Sequence, residues 1–435
     1  MNRSILRLAI PNIISNITIP LLGLVDMILM GHLGSASYIG AIALGGTIFS
    51  VLYSFFSFLR AGTTGFTAQA FGSDDKTETI YSLYRSVCIG IPIIIFILSM
   101  QIPIAKLSSL LLDGSDEVKS LAINYFYIRI WAAPANILLY CLNGWFVGMQ
   151  NTKIPMLIAI LINVMNIIFS VLFVIIFNKN VVGVALGTVI AQYCGLTLAI
   201  ILLMKNYKSY FVKISKNILF DFAKIKRFFK VNTDLMIRSF LLIISIAFFT
   251  NQSAKLGDNI LAVNMILLQS FYIFSYFTDG FAYAGEALVG KYIGSNDKNN
   301  LVNVIRLLLI WGFSISIPFT ILYALFPSNF VKIISDNPNI LLEVKPYYIY
   351  MIVIPLITFA AFIWDGVYIG ATASKAIRNT MIIATIFIFI PAWYLLTPKY
   401  GNHGLWISFL CFMTARGVAM TFMAKKNIIQ TVNNQ

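Results

Sequence analysis

The sequence predicts an all-α integral membrane protein with twelve transmembrane helices in two parallel six-helix lobes. Three observations carry that prediction. Of the 435 residues 59% are hydrophobic and 11% charged, the apolar residues fall in long unbroken runs, and the two halves of the chain repeat each other at one offset. An average soluble domain is about 45–50% apolar and about 25% charged. A chain this apolar lacks the polar residues to cover a water-exposed surface. A soluble enzyme, a disordered binder and a disulfide-knit secreted domain are therefore excluded.

Apolar runs of roughly 20 residues read as bilayer-crossing helices, and their continuity lacks the about ten-residue alternation of a membrane barrel. Twelve such runs are expected, over residues 5–30, 39–69, 83–111, 120–148, 154–177, 181–204, 235–254, 259–290, 302–326, 342–370, 376–396 and 403–424. Pro11 and Pro20 lie in the first; each removes a backbone hydrogen bond, so that helix can bend. Short turns join most runs and leave no room for a soluble catalytic domain.

Orientation follows from the basic residues. With the N-terminus inside, and residues near a span end counted with the adjoining loop, 20 of the 31 Lys and Arg fall on the cytoplasmic side, seven outside and four within spans. By the positive-inside rule both termini are then cytoplasmic. The formal charge of +15 reads as topology and as contact with anionic lipid headgroups, so no nucleic acid is needed to explain it. The richest basic stretch separates the halves: a lobe over 1–204, a basic cytoplasmic connector over 205–234 suited to the membrane surface, a second lobe over 235–425, and a tail over 426–435.

The halves match at an offset of 222 residues. Gly72-Ser73-Asp74-Asp75 falls on Gly294-Ser295-Asn296-Asp297, Asn143-Gly144 on Asp365-Gly366, Gly148 on Gly370 and Lys153 on Lys375. Six helices per half give both halves the same membrane orientation. Parallel repeats of this kind occur in secondary transporters that alternate access between two lobes.

Four acidic residues fall inside spans: Asp26, Asp279, Glu286 and Asp365. An ionisable group at a helix centre costs about 2.5–3.5 kcal/mol on insertion scales, so it faces a cavity or a partner. Asp26 has no Lys or Arg within two helical turns in sequence, and an unpaired carboxyl there is suited to taking up and releasing a proton. Asn163, Asn166 and Ser170 run down span five, the last two one turn apart on one face, and Thr188 of span six can join them. Interhelical hydrogen bonding among small polar groups explains these residues equally well. Asp279 and Glu286, seven apart, share a face of span eight, with Arg238 of span seven as a natural counter-ion; Asp365 sits where the first half has Asn143. Arg60, Arg129 and Arg416 have no assigned partners. Aromatic residues near the acids, such as Phe281 and Trp364, read first as core or lipid-facing, and a cavity-lining subset suits flat cationic amphiphiles.

Catalytic and metal-binding parts are missing. The four cysteines (Cys88, Cys141, Cys194, Cys411) show no ligand spacing and read as small core hydrophobes. His32 and His403 are far apart, and the sequence holds no HExxH and no P-loop. An enzyme is not expected.

The segments "LVDMILMGHLG" (24–34), "FLRAGTTGFTAQAFGSDD" (58–75), "TDGFAYAGEALVGKYIGSND" (278–297) and "WDGVYIGATASK" (364–375) resemble the multidrug and toxic compound extrusion (MATE) transporters, in particular their bacterial DinF-type branch. The resemblance runs from span one to span twelve. It implies a V-shaped cavity between two six-helix lobes and export of amphipathic or cationic toxic compounds across the bacterial plasma (inner) membrane in exchange for protons or sodium ions. The family's first-lobe coupling pattern is matched by Asp26, Asn166 and Thr188. Ser170 stands where the family carries a second carboxylate, which favours proton over sodium coupling. The helix-one proline of the family corresponds to Pro11, and Asp365 matches an acid used by another branch, without that branch's glutamate partner. The expectation is a monomeric proton-coupled antiporter working through Asp26. It needs no cofactor beyond a proton, or alternatively sodium, gradient, and its partners are small amphipathic or cationic substrates, the coupling ion and membrane lipids. A sodium-coupled antiporter and a lipid-linked saccharide flippase of related architecture are the alternatives.

Overall fold

A computed structural model describes residues 1–31, 36–111, 115–212 and 215–433, and among these it contains helices and turns but no strand. His32 and Lys213 lie outside the described residues. Helix α1, Asn2–Gly31, runs through both prolines. Among the described residues eleven helices are long and apolar enough to cross a bilayer: α2 Ser37–Gly72, α3 Lys76–Ser99, α4 Asp116–Gly148, α5 Lys153–Ile176, α6 Asn180–Asn206, α7 Phe222–Lys255, α8 Asp258–Gly294, α9 Lys298–Leu325, α10 Lys345–Gly370, α11 Ser374–Tyr400 and α12 Asn402–Ile429. The expected third span, 83–111, is divided: α3 ends at Ser99 and a separate helix covers Gln101–Leu111.

The chain forms two compact units, residues 14–229 and residues 230–435 together with 1–13. The first thirteen residues belong to the second unit: Ile5, Leu8 and Ala9 are buried, the Ala9 carbonyl and Ile13 stand against Gly280, and Trp311 Nε1 donates to Asn2 Oδ1 at 3.1 Å.

The offset of 222 is written into backbone geometry. After α2 the amides of Ser73, Asp74 and Asp75 donate to the carbonyls of Gln69, Phe71 and Ala70; after α8 those of Ser295, Asn296 and Asp297 donate to Lys291, Ile293 and Tyr292. The same correspondence joins the turn after α4 (149–151) to the turn after α10 (371–373). Each turn places a non-glycine residue in the left-handed region, Asp74 at φ 55° and Asn296 at 53°, Gln150 at 59° and Thr372 at 52°, a conformation that is uncommon outside glycine. Asp75 and Asp297 then cap the next helices, accepting from the amides of Glu78 at 2.8 Å and Asn300 at 3.0 Å. The side chain and amide of Asn300 hold the Asp297 carboxyl below the usual carboxylate range. Close packing repeats as well: a Cβ on Gly144 would strike the Arg60 carbonyl, and one on Gly366 would strike that of Ala282.

The connector is shorter than the sequence suggested, because α7 begins at Phe222. Asp221 starts that helix, its Oδ1 accepting from the amides of Ala223 at 3.0 Å and Lys224 at 3.2 Å. Upstream, the segment is bound to α3. Glu78 receives Arg85 at 2.5 Å and Lys224 at 2.7 Å, Arg85 also donates to the Ile218 carbonyl at 3.0 Å, and the Tyr81 hydroxyl receives the Ser215 amide at 2.6 Å. Two of the four cysteines depart from the core reading. Cys141 is buried and Cys194 half-buried, whereas Cys88 and Cys411 are exposed on the protein surface. In a membrane an exposed apolar thiol faces lipid tails, so sequence hydrophobicity does not separate the two environments.

Candidate functional site

In the unit of residues 14–229, α5 and α6 meet where glycine removes the side chain that would separate them: a Cβ on Gly187 would lie 2.7 Å from Ser170 Oγ. Asn166, Ser170 and Thr188 are fully or nearly fully buried there. Asn166 Nδ2 donates to Thr188 Oγ1 at 2.9 Å, and the Thr188 hydroxyl donates a hydrogen bond to the Val184 carbonyl at 3.0 Å. Asn166 Oδ1 and Ser170 Oγ are buried and accept nothing. Asn163 is engaged elsewhere, donating to the Thr18 carbonyl of α1 at 3.2 Å.

Asp26, near the C-terminal end of α1, is 4% exposed. Its Oδ1 has no hydrogen-bond partner, and among the described residues it forms no ion pair within 4.0 Å. A buried carboxyl oxygen without a partner calls for an explanation beyond helix packing.

Arg129, unassigned from the sequence, lies within electrostatic reach of Asp26. It is held by an aromatic cradle: Nη1 donates to the Tyr125 hydroxyl at 2.7 Å, and its guanidinium carbon lies 4.7 Å from the Phe49 ring centre and 5.4 Å from that of Tyr125. Its Nε is buried without a partner. The signal that could have found the pair was the spacing of Tyr125 and Arg129, one turn apart on one face of α4.

The second unit handles its carboxylate differently. Asp365 Oδ2 accepts from two guanidiniums, Arg238 of α7 in a short ion pair and Arg416 of α12 at 2.7 Å. Arg416 is itself 1% exposed, lies over the Phe412 ring at 5.5 Å, donates to Met413 Sδ at 3.2 Å and feels the charge of Asp279. Arg238, which the sequence offered to the α8 acids, clasps Asp365. A position seven residues away on one helix says nothing of which third helix crosses nearby. Glu286 is buried and Asp279 half-buried on α8, and Asn143, matching Asp365 in the repeat, is a neutral amide with Oδ1 unpartnered. A further acid, Asp234, read as a loop residue from the sequence, is buried inside α7, where Arg378 donates to it at 2.6 Å and Ser374 at 2.9 Å. Among the described residues no three His, Cys, Asp or Glu side chains come together as a metal site.

The sequence profile of the MatE family matches residues 11–172 and 235–395. The chain is 33% identical over 429 residues to the DNA damage-inducible protein F of Escherichia coli strain K12, covering 98% of this chain and 92% of that protein. It is 23% identical to a probable multidrug resistance protein NorM of Pasteurella multocida, over 98% of this chain and 94% of the relative. Among solved structures, a MATE protein in the bent conformation matches with a TM-score of 0.87 at 18% identity, over 100% of this chain and 96% of the other. The bent form of the Vibrio cholerae MATE transporter VcmN matches with a TM-score of 0.87 at 16% identity, over 99% and 98%. At these identities the structures establish the shared fold.

Proposed function

With the chain a member of the MatE family of membrane transporters, we propose that it exports amphipathic and cationic toxic compounds from the cytoplasm in exchange for protons, with Asp26 as the coupling group. The family and its structural neighbours are transporters, not enzymes. One observation carries the coupling assignment: Asp26 is a buried carboxyl with a free oxygen and no ion pair within 4.0 Å among the described residues. Proton and substrate then compete for one carboxyl. A ligand that prefers one protonation state shifts the population between conformations and leaves in exchange for a proton. Thr188 and Asn166 keep α5 and α6 together beside the buried Ser170. The host membrane is the bacterial plasma membrane, the termini are cytoplasmic, and a single chain is the working unit.

Sodium coupling is the second reading, favoured by three buried oxygens that accept nothing, Asp26 Oδ1, Asn166 Oδ1 and Ser170 Oγ, since oxygen donors suit a hard cation. Efflux of a cationic dye from proteoliposomes under an imposed pH or sodium gradient separates the two. Proton coupling predicts efflux under the pH gradient alone and its loss in Asp26→Asn. Efflux driven only by sodium assigns the sodium reading, and normal pH-driven efflux in Asp26→Asn removes Asp26 from either.

A further inference from the structure

Between α9 and α10 the chain folds two short helices, Pro327–Ile334 and Pro338–Glu343. Together with the start of α10 they form an open pocket of about 430 Å³ whose lining includes Ser328, Lys332, Leu341, Leu342, Lys345 and Tyr348. Its lining is mixed in chemistry. It includes two lysines with no acidic partner within 4.0 Å among the described residues, and the Tyr348 hydroxyl, which donates to Ser328 Oγ at 3.3 Å and leaves the serine proton free to donate. Leu341 and Leu342 supply apolar surface. The acids of this segment, Asp336 and Glu343, do not line the cavity. Around it stand apolar side chains with no protein cover: Ile333 is 84% exposed, Leu325 67%, Leu342 62% and Phe326 52%. At the ends of two membrane-crossing helices, such side chains belong at the boundary between acyl chains and headgroups, where lysine stems lie along apolar surface and ammoniums reach the polar layer.

We propose that this cavity binds an anionic phospholipid, its phosphate between Lys332 and Lys345 and an acyl chain along Leu341 and Leu342. A free inorganic anion would use the ammoniums but leave the apolar surface and the exposed rim unexplained; a zwitterionic lipid would use the apolar surface but gain less from two unpaired lysines. The site is on the opposite side of the membrane from the basic connector in the orientation set by the positive-inside rule, and it is independent of Asp26 and of the coupling ion.

Native mass spectrometry of the full chain in a non-ionic detergent tests it, with dioleoyl phosphatidylglycerol and dioleoyl phosphatidylcholine as probes and inorganic phosphate as competitor. The anionic lipid is retained in preference to the zwitterionic one. Lys332→Gln with Lys345→Gln weakens that retention roughly thirtyfold, taking about fivefold for each lysine at an anionic surface. Lys332→Arg with Lys345→Arg keeps it, and Lys226→Gln with Lys230→Gln in the basic first turns of α7 leaves it unchanged. Should the double glutamine variant fail to fold, Leu342→Gln, at an exposed position, weakens lipid retention. The proposal is overturned by equal retention of both lipids, by undiminished retention in a folded variant of either kind, or by phosphate displacing the lipid at equal concentration, which would make the cavity a site for free anions.

Discussion

Asp26 and Asp365 are both buried carboxylates inside membrane-crossing helices, one in each unit, and their surroundings are opposite. Asp365 sends one oxygen to two guanidiniums; Asp26 has no ion pair within 4.0 Å among the described residues, and the one arginine in its field is held by Tyr125 and Phe49. Two arginines on one carboxylate make an arrangement that resists change, because releasing any member strands a buried charge. Both acids leave Oδ1 without a hydrogen-bond partner, so the difference lies in the ion pairs: a carboxyl without one can change its proton or its ligand without stranding a buried guanidinium. The contrast fits an architectural part for the second unit's acid and supports the exchange role proposed for the first unit's.

That contrast can be broken most directly at Asp365. Asp365→Ala should lower stability by about 3 kcal/mol, since it leaves two guanidiniums without their shared acceptor, and thermal unfolding in detergent reads the loss. Asp26→Asn should leave the melting temperature in place while gradient-driven efflux falls to background; a destabilisation as large as that of Asp365→Ala would show that Asp26 is structural after all. Gly366→Ala, forcing a methyl against the Ala282 carbonyl, should cost about 1–3 kcal/mol as overpacking. Gly144→Ala, its counterpart against Arg60, should cost a similar amount; unequal losses would show that the repeated close approach bears load in only one unit. The smallest effect is expected for Thr188→Val, about 0.6 kcal/mol for one interhelical hydrogen bond in a membrane, read by the same melting measurement.

Much of the fold was legible because membrane crossing imposes its signature on local sequence. Each span is a run of apolar residues, and the repeat shows in matched glycines and Asp caps. The contacts of Asn166 with Thr188 were legible for the same reason, as polar residues facing one another on adjacent helices in a closely packed hairpin. The partners of the arginines were not. Arg238 and Arg416 reach Asp365 from helices 127 and 51 residues away, and nothing in their own segments records which helices cross. Arg85, counted with the cytoplasmic loops, is buried against Glu78 because α3 begins earlier than its apolar run, capped by Asp75. The early start of α7 was hidden similarly: its first turns are basic, and an apolar threshold does not register a helix that begins outside the bilayer.

The division of α1 after Ile13 has a consequence for how the polypeptide is cut. Two fragments separated anywhere in 207–221 would not be self-sufficient halves. The leading fragment would carry, on its opening turns, side chains that complete the interior of its sibling, and the sibling alone would expose the surface those turns cover. Co-produced pieces should therefore depend on each other to mature, and a leading fragment trimmed of its first thirteen residues should fail to rescue its mate even though every one of its other helices is intact.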